Sequence, residues 1–171
     1  MKNLFYIFFI LLFLPFFGCQ EKVDPETEEE AIKSVIIEET DAFWKQDLVR
    51  LLTTLSQDDD AVYISIGSNG YQEMIGWDKN YAYYKKASTE DWSDYTEMKV
   101  DRSNWKITIC GESAFAIYNQ IMSFKLNDEP METMSKEMRM LKKMKGEWKI
   151  TLVQWIDLSS VGAAEAAGKE F

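Results

Sequence analysis

No histidine occurs anywhere in this 171-residue chain. With it go the imidazole general base, the Ser-His and Cys-His nucleophile pairs, and the most common protein ligand for transition metals. Cysteine is almost as scarce. Of the 2 present, Cys19 follows an apolar leader, and Cys110 closes the strand pattern Trp105-Lys106-Ile107-Thr108-Ile109. No disulfide is therefore expected, and Cys110 reads as a buried structural thiol. Positive charge is the third shortage. Against 29 Asp and Glu stand 19 Lys and Arg, a net charge of −10, which argues against nucleic acid as a partner. Asp58-Asp59-Asp60 is the one acidic run that suggests a metal, and it reads as a solvated loop, so neither a metal site nor a cofactor is expected.

Long apolar runs are missing too. The stretch from Leu4 to Phe17, broken by Pro15, falls short of the ~20 residues a membrane-spanning helix needs, and after Lys2 it reads as a signal peptide over residues 1–18. It ends in Phe16-Phe17-Gly18-Cys19, which resembles the bacterial lipobox. That resemblance implies a lipid on Cys19, a polar tether over residues 19–28, and a place in the bacterial cell envelope, anchored to a membrane outside the cytoplasm.

A single domain is expected over residues 29–159, followed by an Ala-rich flexible tail over residues 160–171. Ile32, Val35, Ile36 and Phe43 recur at helical spacing behind an acidic first turn at Thr27-Glu28-Glu29-Glu30, and Asp47 is placed to cap a second, shorter helix. Ala61 to Ile66 is a strand, Gly67-Ser68-Asn69-Gly70 a hairpin turn, and Tyr71 to Ile75 its return. After Gly76, Trp77, Tyr81 and Tyr84 share one stripe of a third helix, as core or as pocket wall. Four strands then follow as an antiparallel meander: Tyr95 to Ile109, Ala114 to Phe124, Met134 to Lys143, and Glu147 to Asp157.

In the last strand, alternation puts Trp148, Ile150, Leu152, Gln154 and Ile156 on one face and Lys149, Thr151, Val153, Trp155 and Asp157 on the other. The first is expected inside, with Gln154 as a polar residue that must be bonded within the protein or to a ligand. The second, with Phe115, Ile117 and Ile121, is expected to face a second copy of the chain. A bulge of one residue would exchange the two faces and make Trp155 a cavity residue. Arg139, in Met138-Arg139-Met140-Leu141, reads as a strand-surface ion pair with a neighbouring Glu, or else as an inward anion anchor.

The order of these elements resembles the nuclear transport factor 2-like superfamily. Lys45-Gln46-Asp47 with Asp58-Asp59-Asp60-Ala61-Val62-Tyr63-Ile64, then Ile75-Gly76-Trp77-Asp78, Gly111-Glu112-Ser113-Ala114 and Gly146-Glu147-Trp148-Lys149-Ile150 carry the likeness, which is nearest to the SnoaL-like and calcium/calmodulin-dependent kinase association-domain-like branches. It implies an α+β fold in which a curved antiparallel sheet wraps the N-terminal helices as a cone with an internal cavity, with dimerisation through the sheet. The superfamily holds both enzymes and binding modules, so the fold does not choose between them. No residue is assigned a catalytic role. The expected function is a membrane-tethered module binding a small apolar or aromatic molecule, with cavity candidates Trp44, Tyr63, Tyr81, Tyr84, Tyr118, Gln120 and Gln154; the alternative is an isomerase or hydrolase of the same fold that uses Tyr and carboxylate groups.

Overall fold

The computed structural model describes residues 24–68 and 70–159. Cys19, the leader, part of the tether and the tail lie outside the described residues. Among the described residues, three helices, α1 (Pro25–Trp44), α2 (Leu48–Thr54) and α3 (Trp77–Ala87), accompany six strands. These are β1 (Val62–Gly67), β2 (Gly70–Ile75), β3 (Tyr95–Cys110), β4 (Ser113–Leu126), β5 (Glu129–Met144) and β6 (Glu147–Asp157), in one open sheet ordered β2-β1-β6-β5-β4-β3. The meander β3 to β6 is antiparallel as expected, but β1 runs parallel to β6, so the sheet as a whole is mixed.

Local chemistry explains most of the boundaries. Pro25 opens α1 inside the stretch assigned to the tether, because its missing N–H and fixed φ suit a first helical turn. Asp47 caps α2 by accepting a hydrogen bond from the Arg50 N–H at 3.1 Å. Gly76 enters α3 at φ +92°, a conformation that favours glycine. Asn80 then fixes that helix to the β1–β2 hairpin, its amide donating to the carbonyls of Gly76, Ala61 and Met74 at 2.8, 3.2 and 3.3 Å. Asn127 and Asp128 both take positive φ, which makes a tight two-residue turn and lets β5 begin at Glu129 rather than at Met134.

The helices cover the concave face of the sheet. Ile32, Ile36 and Leu51 meet Ala116, Leu141 and Ile150 in a core that tightens toward one end of the cone. One of two expectations about exposure fails. Asp58, Asp59 and Asp60 are indeed an exposed loop, but Cys110 is exposed as well, since β3 is an edge strand whose last residue projects beyond the core.

The most consequential departure lies in β6. Leu141 pairs with Ile150 while Met140 pairs with Leu152, so Thr151 is bulged out of the ladder. Up to that point β6 keeps the expected parity, with Trp148 and Ile150 buried. Beyond it the faces exchange. Val153, Trp155 and Asp157 turn inward, and Leu152, Gln154 and Ile156 turn outward. The bulge falls where β6 changes neighbours. The Ser56 N–H donates to the Ile150 carbonyl at 2.8 Å, whereas pairing with β1 starts at Leu152.

Candidate functional site

The open end of the cone holds a cavity of about 670 Å³ between α1, α3, the 88–94 loop and the inner faces of β1, β4, β5 and β6. Aromatic rings make its walls. Phe43 packs edge-on against Trp44 at 5.5 Å, and both meet Trp92, at 5.4 and 5.2 Å. Gln46 holds that corner together. Its amide donates to the carbonyls of Ala87 and Glu90, both at 2.8 Å, tying the end of α1 to the loop that carries Trp92. Phe43 also stacks on Tyr83 at 6.3 Å, which shares a hydrogen bond with Tyr63 at 3.2 Å, and the Trp155 indole N–H donates to the Tyr63 hydroxyl at 2.8 Å.

The floor is ionic. Ser135, Glu137, Arg139 and Leu141 alternate inward along β5, leaving Met138 and Met140 outside. Arg139 is 4% exposed and donates to Glu137 at 2.9 Å and, across the interior, to Glu39 of α1 at 3.1 Å. Glu137 is fully engaged, since its other oxygen accepts from Ser135 at 2.6 Å and from Gln120 at 3.4 Å. Glu39 spends a single oxygen, Oε2, on Arg139 and on Thr40.

Charge and burial set the protonation states here. Burial opposes the charge on Arg139, but Glu39, Tyr118 and Glu137 outweigh it and hold the guanidinium well above its ordinary pKa. Tyr84 is pushed well above the ordinary phenol value, first by burial and then by the negative Glu39. Burial likewise raises Tyr83 and Tyr118. At neutral pH the cavity thus presents the protonated phenols of Tyr83 and Tyr84 and a fixed cation at Arg139.

Of the sequence candidates, Trp44, Tyr63, Tyr84 and Gln120 line this cavity. Tyr118 lies under the floor, fully buried, stacked on Trp105 at 4.2 Å and facing the Arg139 guanidinium at 5.9 Å. Tyr81 packs on Trp77 at 5.9 Å away from the lining, and its helical neighbour Tyr83 takes the place expected of it. Gln154 is a correction. The bulge at Thr151 places it on the outer face, opposite Met138, so it neither completes the interior nor reaches the cavity. Arg139 also departs from the surface reading: its partner is a neighbouring Glu as expected, but the pair is buried and faces inward.

Several residues of the site were not anticipated. Glu39, Glu137, Phe43, Tyr83 and Trp92 line it, while Trp155 enters it through the bulge that the sequence allowed as the alternative register. Two carried a signal. Glu39 falls on the buried stripe with Ile32 and Ile36, where an acid needs a partner, and Glu137 with Arg139 at i and i+2 puts opposite charges on one strand face.

The outer face of the sheet is a second feature. Phe115 pairs with Met140, Ile117 with Met138, Met140 with Leu152 and Leu152 with Val62, forming apolar rows across four strands. Met140 remains 46% exposed.

This architecture recurs in solved structures. The chain has the nuclear transport factor 2-like fold. A protein of that fold and of unknown function from Shewanella oneidensis superposes with a TM-score of 0.55 at 21% identity, covering 76% of this chain and 99% of that one. The association domain of CaMKII from C. elegans gives 0.61 at 16% identity, over 76% and 95%. A ketosteroid isomerase-like protein from Erwinia carotovora gives 0.56 at 16%, over 75% and 95%. No protein-family profile and no curated protein matches the sequence.

Proposed function

We propose that this chain is a membrane-tethered module that binds a small molecule in the cavity of its cone and pairs with a second copy through the outer face of its sheet. The observation that carries the binding reading is the aromatic cavity of about 670 Å³ set over a buried ionic floor. Such a concave, largely apolar space with a few fixed polar groups is the usual form of a small-molecule site. Binding is favoured over turnover by the state of that floor. Glu137 has both oxygens engaged and Glu39 is ion-paired to Arg139 through Oε2, leaving Oε1 alone to accept from a guest, so the floor is fitted to hold a guest by a hydrogen bond.

Pairing is supported by the apolar outer rows and by the likeness to a CaMKII association domain. Tethering is supported by the lipobox-like Gly18-Cys19. Native mass spectrometry of the full chain, purified from bacterial membranes in mild detergent, tests the binding reading. A retained small-molecule mass is expected, and Met122→Trp, which fills the cavity from β4, should lose it without a large drop in melting temperature. If the wild type retains nothing and both proteins take up a naphthyl dye equally, the cavity is not a binding site.

A further inference from the structure

The charges that line the cavity say more about its guest than the aromatic walls do. Among the described residues, the lining carries four carboxylates, Glu39, Glu90, Glu137 and Asp157, against the single guanidinium of Arg139. Two of these acids sit at the rim and are already occupied. Glu90 faces Lys86 across an exposed 3.5 Å pair, and Asp157 accepts from Ser159. The floor is different. Glu39 and Glu137 are 5% and 3% exposed and share one cation, so the lining lacks a countercharge for the second carboxylate.

Two acceptors at that floor also have no donor. Both hydrogen bonds made by the Glu39 carboxylate fall on Oε2, and none engages Oε1. Gln120, 5% exposed on the next strand, gives its amide N–H to Glu137 and leaves its own Oε1 unpartnered. Unpartnered donors also lie close by, Nε of Arg139 and Nε and Nη2 of Arg102. Arg102 is not among the lining residues, however, and an anion reaching Arg139 would come to rest against the two acids that already hold it.

We infer that the cavity takes an organic cation: a protonated amine carried on an aromatic or aliphatic body, with an N–H group directed at Glu39 Oε1. The inference rests on the binding reading above and names its ligand class. The ammonium supplies the missing countercharge and the missing donor together. The walls suit the same guest, because the faces of Phe43, Trp44, Trp92 and Trp155 carry the negative potential that attracts a cation, while their area receives its apolar body. An anionic guest meets repulsion from every acid in the lining, and a neutral apolar one leaves Glu39 Oε1 without a donor.

The test uses the full-length protein in detergent and matched sets of probes that share one body: phenethylamine, phenethyl alcohol and phenylacetate, with the corresponding naphthylmethyl and octyl sets. Binding is followed by the fluorescence of the lining tryptophans and confirmed by calorimetry. Within a set, the ammonium should bind about tenfold more tightly than the alcohol, as charge-assisted hydrogen bonding and cation–π contact predict, and the carboxylate more weakly than either. Glu39→Gln keeps an acceptor for Arg139 and leaves that cation paired with Glu137, and it should abolish the ammonium preference while sparing the alcohol. Comparison of probe charges on the unmodified protein decides the matter even if that variant folds poorly. If alcohol and ammonium bind equally in every set, the cavity is a binding site but not one for cations. Preference surviving Glu39→Gln also overturns the assignment. Failure of every probe removes the binding reading itself, and this one with it.

Discussion

Replacing Arg139 by Met removes the one cation between two buried acids while keeping a long apolar side chain in its place. Arg139 is 4% exposed and holds Glu137 at 2.9 Å and Glu39 at 3.1 Å, so the variant strands two carboxylates that are themselves only 3% and 5% exposed. Breaking a buried ion pair by deleting one partner costs about 3–5 kcal/mol, and with a urea slope of roughly 2 kcal/mol per M this lowers the unfolding midpoint by about 2 M. The loss should depend on pH. A stranded carboxylate binds a proton more tightly in the folded variant than in its unfolded chain, so the variant gains stability relative to wild type as the pH is lowered from 7 toward 5. Replacing the whole network by neutral side chains, Glu39→Gln, Glu137→Gln and Arg139→Met together, should recover most of the loss, because neutral substitutes for a buried ionic set are often tolerated. Urea titrations followed by tryptophan fluorescence at several pH values measure all of this. A loss under about 1 kcal/mol with no pH dependence would refute the view that the floor is a desolvated ionic lock.

Three further outcomes are expected. Cys19→Ser should abolish labelling by a fatty-acid probe and release the protein from bacterial membranes; unchanged labelling and fractionation refute the tether. Leu152→Arg, on the outer face, should yield monomers or insoluble protein while Val153→Ile does not disturb assembly; sedimentation of wild type as a monomer at high micromolar concentration removes the pairing. Glu28→Gln weakens the bonds that Lys143 and the Trp148 indole donate to the start of α1, at a cost of about 1–2 kcal/mol. The Lys143 bond holds the Glu28 carboxyl below its ordinary 4.5, so this stability is fully present above that pH and is lost as the pH falls through the lowered folded value; a wild-type acid titration indistinguishable from that of Glu28→Gln contradicts it.

How much of this was legible in the sequence depended on where the pattern stayed local. Helices, turns and strand order followed from caps, positive-φ positions and alternation, and Asp47, Gly76 and Gly146 marked their boundaries directly. The cavity was half legible. Trp44, Tyr63, Tyr84 and Gln120 came from elements read in the correct register, whereas Gln154 and Trp155 follow a bulge that leaves no mark in the residue pattern. Thr151 is no glycine, and its displacement arises because β6 must leave the end of α2 and join β1, a tertiary cause. Along β5 the methionines drew attention to the wrong face. Met138 and Met140 are the more hydrophobic set, yet the interior is built from Ser135, Glu137 and Arg139, since ionic groups that satisfy one another can be buried and a flexible apolar set can serve as a contact surface.

The bulge at Thr151 also separates two kinds of selection within one strand. After it, odd-numbered residues line the cavity and even-numbered ones the outer face, so the chain can vary Val153 and Trp155 to reshape the cavity without altering Leu152 and Ile156 on the outer face. The same arrangement makes chain length far less forgiving than composition. Gain of one residue between Leu152 and Val153 would carry Gln154 into the cavity and Trp155 onto the outer face in a single event, exchanging both surfaces at once, whereas loss of Thr151 would only close the bulge. Lineages of this fold are therefore expected to tolerate side-chain replacement along β6 much more readily than insertion beyond its bulge.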